Sequence, residues 1–245
     1  MARQRHLNRA PIREALVDIA VKLPEGVDLA VLRSLTERVS EDYPDSQGVR
    51  ETHVQFDFDK ATARELSHRE LGFRCKNRDG NRVVQFRLNG FTYNWLRPYA
   101  TWKDLRSAAQ QYWHLFSETV RPVSVTRLAL RYINNLVFPS PFLDFGEYLV
   151  AQPNIPPALP QKLAQFLTRI MLFEDQTSFN ATVTQAFEGV ISPNELTIIL
   201  DIDAFSHRSF QPSEDEIWRT LDGLREFKNR NFFESLTEHA VRLFE

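Results

Sequence analysis

Apolar and polar residues alternate along positions 12–23, where Ala15, Val17, Ile19, Val21 and Leu23 are set against Glu14, Asp18 and Lys22. That period of two predicts a half-buried strand. The period then lengthens to that of a helix: Asp28 stands as an N-cap before Val31, Leu32, Leu35 and Val39, and Pro44 ends the run. A second strand is predicted at 51–58, with Thr52, Val54, Phe56 and Phe58 facing one way and Glu51, His53, Gln55 and Asp57 the other.

The strongest local pattern lies at 72–97, where Asp79-Gly80 and Asn89-Gly90 are both dipeptides of two-residue hairpin turns. Two such turns predict a three-stranded meander whose register follows from the loop length. Cys75 is expected opposite Val84 and Phe73 opposite Phe86, then Phe86 opposite Tyr93 and Val84 opposite Trp95. One face is apolar, with Phe73, Cys75, Val84, Phe86, Leu88, Phe91, Tyr93 and Trp95. The other carries Arg74, Lys76, Arg78, Gln85, Arg87, Thr92 and Asn94. Thr101, with Asp104 three residues on, opens a long helix that buries Leu105, Ala109, Tyr112, Trp113 and Phe116 and stops at Pro122.

The order of elements then repeats. A strand at 123–137 is followed by a stretch, 138–160, that holds six of the 13 prolines and a short helix around 145–150. Strands are predicted at 166–174, 178–187 and 195–203. Ser213 and Glu216 form a second capping box for a helix through Ile217, Leu221, Leu224 and Phe227, and a break near Asn229–Asn231 leads into a last helix through Phe233, Leu236, Ala240 and Leu243. The fold class is therefore α+β: two tandem β-α-β-β-β-α-like halves, 1–121 and 122–245, with antiparallel sheet covered on one face by long helices. This order resembles TATA-binding-protein-like and helix-grip folds, which host DNA binders, ligand carriers and enzymes alike.

Composition narrows the class of protein. Single Cys75 excludes a disulfide framework and a cysteine-rich zinc site. The basic opening has no apolar core of a signal peptide, and no run of 18 apolar residues occurs, so a cytoplasmic protein is expected. The net charge of −2 hides an imbalance: residues 1–135 carry 22 Lys+Arg against 16 Asp+Glu, and residues 136–245 carry 8 against 16. Opposite-sign surfaces either steer an anionic partner or favour packing of the halves.

Three constellations carry candidate chemistry. Glu14 and Asp18 share the polar face of the first strand, and Arg127, Arg131 and Asn135 share a face of the strand opening the second half. If these strands pair, the charges form either an ion-pair network fixing the two halves or a pocket in which the planar forks of Arg127 and Arg131 hold a carboxylate or phosphate; simple exposure to solvent is the remaining reading. The second constellation is the basic meander face at Arg74, Lys76, Arg78 and Arg87, within a segment that also holds Lys60, Arg64, Arg69 and Arg82. It suits a nucleic-acid backbone or an acidic protein partner, although a solvated face has the same composition and no aromatic platform lies on that side. Asp201 and Asp203 form the third, as ligands of a divalent cation or as strand-end polar groups. The six histidines show no zinc spacing, and no P-loop, GxGxxG or GxSxG occurs. No metal and no cofactor is expected.

Four segments, LNRAPIREALVDIAV, RLALRYINNL, LDID and FKNRNFFESLTEHAVRLF, resemble a family of sporadically distributed, functionally uncharacterised bacterial proteins of about 250 residues. The resemblance spans most of the chain in order; its more specific parts are N-x-A-P-I-x-E-A and R-Y-I-N. It implies no catalytic residues, hints at mobile or defence-related genes, and directs attention to Pro11, Glu14, Asp18, Arg127, Arg131, Tyr132 and Asn134. The leading expectation is a non-enzymatic binding or regulatory component that contacts a protein or nucleic acid through the polar sheet face. The alternative is an enzyme or small-ligand-binding protein with an anion pocket built from Arg127, Arg131, Glu14 and Asp18.

Overall fold

A computed structural model describes residues 4–57, 62–139, 144–161, 163–192, 195–209 and 214–245, and of residues 52–57, 62–68 and 188–192 the backbone alone. Nine strands form one antiparallel sheet: β1 Ile12–Lys22, β2 Asp45–Asp57, β3 Thr62–Lys76, β4 Arg82–Arg87, β5 Gly90–Leu96, β6 Ser124–Pro139, β7 Phe166–Glu174, β8 Phe179–Ser192 and β9 Glu195–Ser206. They lie in the order β2-β3-β4-β5-β1-β6-β9-β8-β7. The helices among the described residues are α1 Leu29–Arg38, α2 Trp102–Val120, α3 Glu214–Ser235 and α4 Glu238–Arg242. Among its described residues, the 138–160 stretch gives the end of β6, a 3-10 turn at Phe145–Glu147 and an isolated bridge from Leu149 to Leu236. The chain is thus α+β with an antiparallel sheet.

Alternation decides which face is covered. Ala15, Val17 and Ile19 of β1, Leu128, Leu130 and Tyr132 of β6, and Ile198, Leu200 and Ile202 of β9 are all buried. α2 covers the meander side by ring packing: Phe116 stacks on Phe86, Tyr112 stacks on Tyr93, and Trp113 meets Phe91 edge-on. α3 packs on β6, β9 and β8, and α1 on β3 and β4. The starts of α1 and α2 have the local chemistry their sequence promises, since Asp28 accepts from the amides of Ala30 and Val31, and Thr101 accepts from the amide of Asp104.

Several expectations are met residue by residue. Cys75 lies opposite Val84 and Phe73 opposite Phe86, and Cys75 is buried, which raises its thiol pKa. The second hairpin differs: Phe86 lies opposite Phe91 and Val84 opposite Tyr93. The turn is Leu88-Asn89, and Gly90 is already the first residue of β5. The reason is non-local. A Cβ on Gly90 would stand 2.5 Å from the carbonyl oxygen of Ile19 on β1, so this glycine serves the approach of a third strand. The break expected at Asn229–Asn231 also does not occur. Asn231 stays in α3 and donates to the carbonyl of Phe227 at 2.8 Å, and the helix ends at Ser235, where Thr237 caps α4. β2 and β3 run longer than predicted. The capping position Ser213, the residues Phe58 and Lys60, and the side chains of Thr52, Val54, Phe56 and Arg64 lie outside what is described.

Candidate functional site

β1 and β6 pair antiparallel at the centre of the sheet, with Leu16 opposite Arg131 and Ala20 opposite Arg127. On the face away from the helices this register assembles a charge lattice. Asp18 accepts from Arg87 at 2.6 Å, from Thr92 at 2.7 Å and from Arg127 at 3.2 Å. Arg127 also donates to Asp203 at 2.7 Å, and Arg131 grips Asp201 at 2.9 and 2.5 Å. Glu14 accepts from Asn94 at 2.6 Å. Phe205 lies under the Arg127 guanidinium. Burial raises the Asp203 carboxyl pKa, although Arg127 and Arg131 pull it down; the bond to Asp201 raises the already high pKa of Arg131.

Asp201 and Asp203 therefore act as the counter-charges of the two arginines, and no group of metal-ligating side chains occurs among the described residues. Asn135 shares this side of β6. Its backbone N–H donates to the carbonyl of Pro11 at 2.8 Å, and its side-chain Oδ1 is buried with no hydrogen-bond partner among the described residues. Of the basic meander residues, Arg87 belongs to the lattice, while Arg74 and Arg78 are exposed and Lys76 is half-buried.

The opposite side of the same two strands holds a cavity of about 460 Å³. Its floor is Ile12 of β1 with Tyr132 and Asn134 of β6, and α3 forms a wall with Arg225, Lys228 and Phe232. Tyr99, just after β5, completes the floor, and its hydroxyl lies 2.8 Å from that of Tyr132. The segment 4–11 closes another side as a strap. It is held to the C-terminal end of the chain by the amide of Arg9 on the carbonyl of Phe244 at 3.0 Å and by Arg5 on Glu238 and Glu245.

The electrostatics of this cavity are one-sided. Its lining contains Arg5, His6, Arg225 and Lys228 and no Asp or Glu. Lys228 is 7% exposed. Among the described residues its ammonium makes no hydrogen bond and no ion pair, and Nζ stands 3.8 Å from the centre of the Tyr132 ring. Burial lowers the Lys228 pKa to about 7, and the neighbouring Arg225 guanidinium contributes in the same direction. Arg225, three residues earlier on the same helix, likewise has no carboxylate partner among the described residues. Burial pushes the Tyr99 phenol up to about 12 and that of Tyr132 well above its ordinary value, so both are neutral hydroxyls.

Pro11, Tyr132 and Asn134, marked out by the resemblance, all line this cavity, and FKNRNFFES supplies Lys228, Asn229, Phe232 and Phe233. Arg225, Lys228 and Tyr99 were not singled out from sequence. A signal existed for one of them: Lys228 continues the apolar stripe Ile217, Leu221 and Leu224 at helical spacing, a position where a lysine is out of place. The chain matches no model of a known protein family, and no curated protein is significantly similar to it.

Proposed function

We propose that the protein binds a small anionic molecule, carrying a carboxylate or phosphate and an apolar body, in the cavity between β1, β6 and α3. The observation that carries this reading is Lys228, a buried ammonium with no counter-charge among the described residues, in a cavity that also presents Arg225 and is lined by no carboxylate. An unpaired buried charge is costly, and an anionic ligand removes that cost while accepting bonds from both cations. Phe232, Phe233 and Trp102 offer apolar walls to the rest of the molecule, and the volume falls in the range of small-ligand sites, roughly 300–1,000 Å³. This replaces the anion pocket expected from Arg127 and Arg131, whose forks are taken by Asp18, Asp203 and Asp201.

The test is thermal unfolding and calorimetric titration with inorganic phosphate, pyrophosphate, nucleoside monophosphates and aromatic carboxylates. Stabilisation by at least one of them, lost in Lys228→Met and in Arg225→Met, is expected. If none stabilises the native chain more than the two variants, the reading is wrong.

A second reading keeps the polar sheet face as a contact surface for a protein or nucleic acid. It is favoured by Arg74, Lys76 and Arg78, which have no carboxylate partner among the described residues and lie together at one end of the meander. In both readings the chain is two units, 1–121 and 122–245, of TATA-binding-protein-like or helix-grip-like order. The strand order supports this, because β1-β5-β4-β3 on one side of the centre corresponds to β6-β9-β8-β7 on the other.

A further inference from the structure

We infer that the ligand of the cavity is a carbonyl compound, an aldehyde or ketone that also carries a carboxylate or phosphate, and that the Lys228 amine holds it covalently as an imine. This rests on the anion-binding reading above and adds the reacting group to it. Two observations carry it, the setting of the Lys228 side chain and a spare hydroxyl proton on the cavity floor.

Lys228 reaches from α3 across to the floor, where Nζ stands 3.8 Å from the centre of the Tyr132 ring. It is 7% exposed, and the lining around it offers Arg5, His6 and Arg225 but no carboxylate. An anion alone would be served by Arg225, whose planar fork keeps its charge, whereas an amine taken out of water gives up its proton readily. Burial, with Arg225 adding to it, lowers the Lys228 pKa to about 7, so near neutral pH a large share of this residue is the neutral amine that attacks a carbonyl carbon. The chain has six lysines; Lys22 and Lys103 are exposed and Lys76 is half-buried, so those three amines stand in water. Arg225 and Lys228 are three apart on α3, a spacing that sets their Cβ atoms ~5–6 Å from each other. An anionic group on Arg225 therefore brings a carbonyl a few bonds away within reach of Nζ.

The second observation lies on the same ring. The hydroxyls of Tyr99 and Tyr132 are 2.8 Å apart, and burial keeps both neutral. Their mutual bond uses one of the two protons, and the other has no acceptor among the described residues. That proton is free to donate to the carbonyl oxygen and to draw charge from the carbon under attack. Nζ then bonds to the carbon, the C=O double bond gives way to C=N, and the oxygen leaves as water with the two amine hydrogens. No oxidant or reductant is consumed, and added water reverses the step.

Reductive trapping of the full chain tests this. Phenylpyruvate and pyridoxal 5′-phosphate supply the carbonyl beside a carboxylate and a phosphate. Phenyllactate and pyridoxine phosphate, with an alcohol in its place, report anion binding alone by calorimetry. With cyanoborohydride, at least one carbonyl compound is expected to leave a reduced adduct that peptide mass mapping places on Lys228 in preference to Lys22, Lys76 and Lys103, and the one that labels identifies the anionic group. Arg225→Met is expected to lower the yield at Lys228 at least tenfold. Lys228→Arg, which keeps a cation and loses the amine, is expected to bind the matching alcohol and give no adduct in the cavity; the position of the label in the native chain decides the matter however that variant folds. If an alcohol binds while neither carbonyl compound labels Lys228 above the other lysines, the imine is overturned and the anion reading stands. If no alcohol and no carbonyl compound binds, the anion reading falls and the imine with it.

Discussion

Lys228 carries opposite demands in the empty and the occupied cavity. In the unfolded chain its amine has the ordinary value of 10.5, and in the folded chain burial lowers it to about 7. Between those values the unfolded state binds one more proton than the folded state, so stability rises with pH across that window. Below pH about 7 the full penalty is present. Lys228→Met is therefore expected to stabilise the ligand-free protein at pH 6, by about 2–4 kcal/mol, and to lose most of that advantage near pH 10. Urea unfolding of both chains at the two pH values checks this; a variant less stable than the native chain at pH 6 contradicts it. Such a residue is only half visible in sequence. Its place on the apolar stripe of α3 can be read from spacing, but its lack of a counter-charge depends on which distant segments surround it.

At the scale of elements, legibility follows the range of the interactions that decide each one. Asp28 and Thr101 cap their helices through bonds two or three residues away, and the first hairpin is set by its own turn, so all three are readable. The second hairpin is not, because Gly90 answers to Ile19, more than seventy residues earlier. The helix break expected at Asn229–Asn231 fails for a related reason. Asn231 finds an acceptor inside α3, and the burial of Phe227, Phe232 and Phe233 keeps the helix going to Ser235. The two turn glycines should accordingly differ. Gly80 has φ +72° and a Cβ there would meet only the flexible Lys76 side chain, whereas a Cβ on Gly90 would meet backbone. Gly80→Ala is expected to cost about 1 kcal/mol and Gly90→Ala about 3 kcal/mol. Urea midpoints of the two variants rank them, and an equal effect would place the strain in the turn instead of the strand contact.

In the whole molecule, the β1–β6 seam separates two chemistries. Paired charges lie on one side; on the other lie Lys228 and Arg225, which have no carboxylate partner among the described residues. Asp18 is the lattice residue with most to lose, since it faces Arg87, Arg127 and Thr92 together. Asp18→Asn is expected to lower stability by about 1–3 kcal/mol while leaving anion binding in the cavity intact. Chemical unfolding and ligand titration on the same variant separate those effects, and weakened binding at full stability would give the lattice a part in ligand recognition after all. The strap adds a consequence for how the site comes into being. The cavity lining runs from Gln4 to Phe233, so neither half of the chain encloses it alone. The proposed binding is then a late property: it needs the β1–β6 seam closed and the strap held against Glu238 and Phe244, and a half expressed alone has neither.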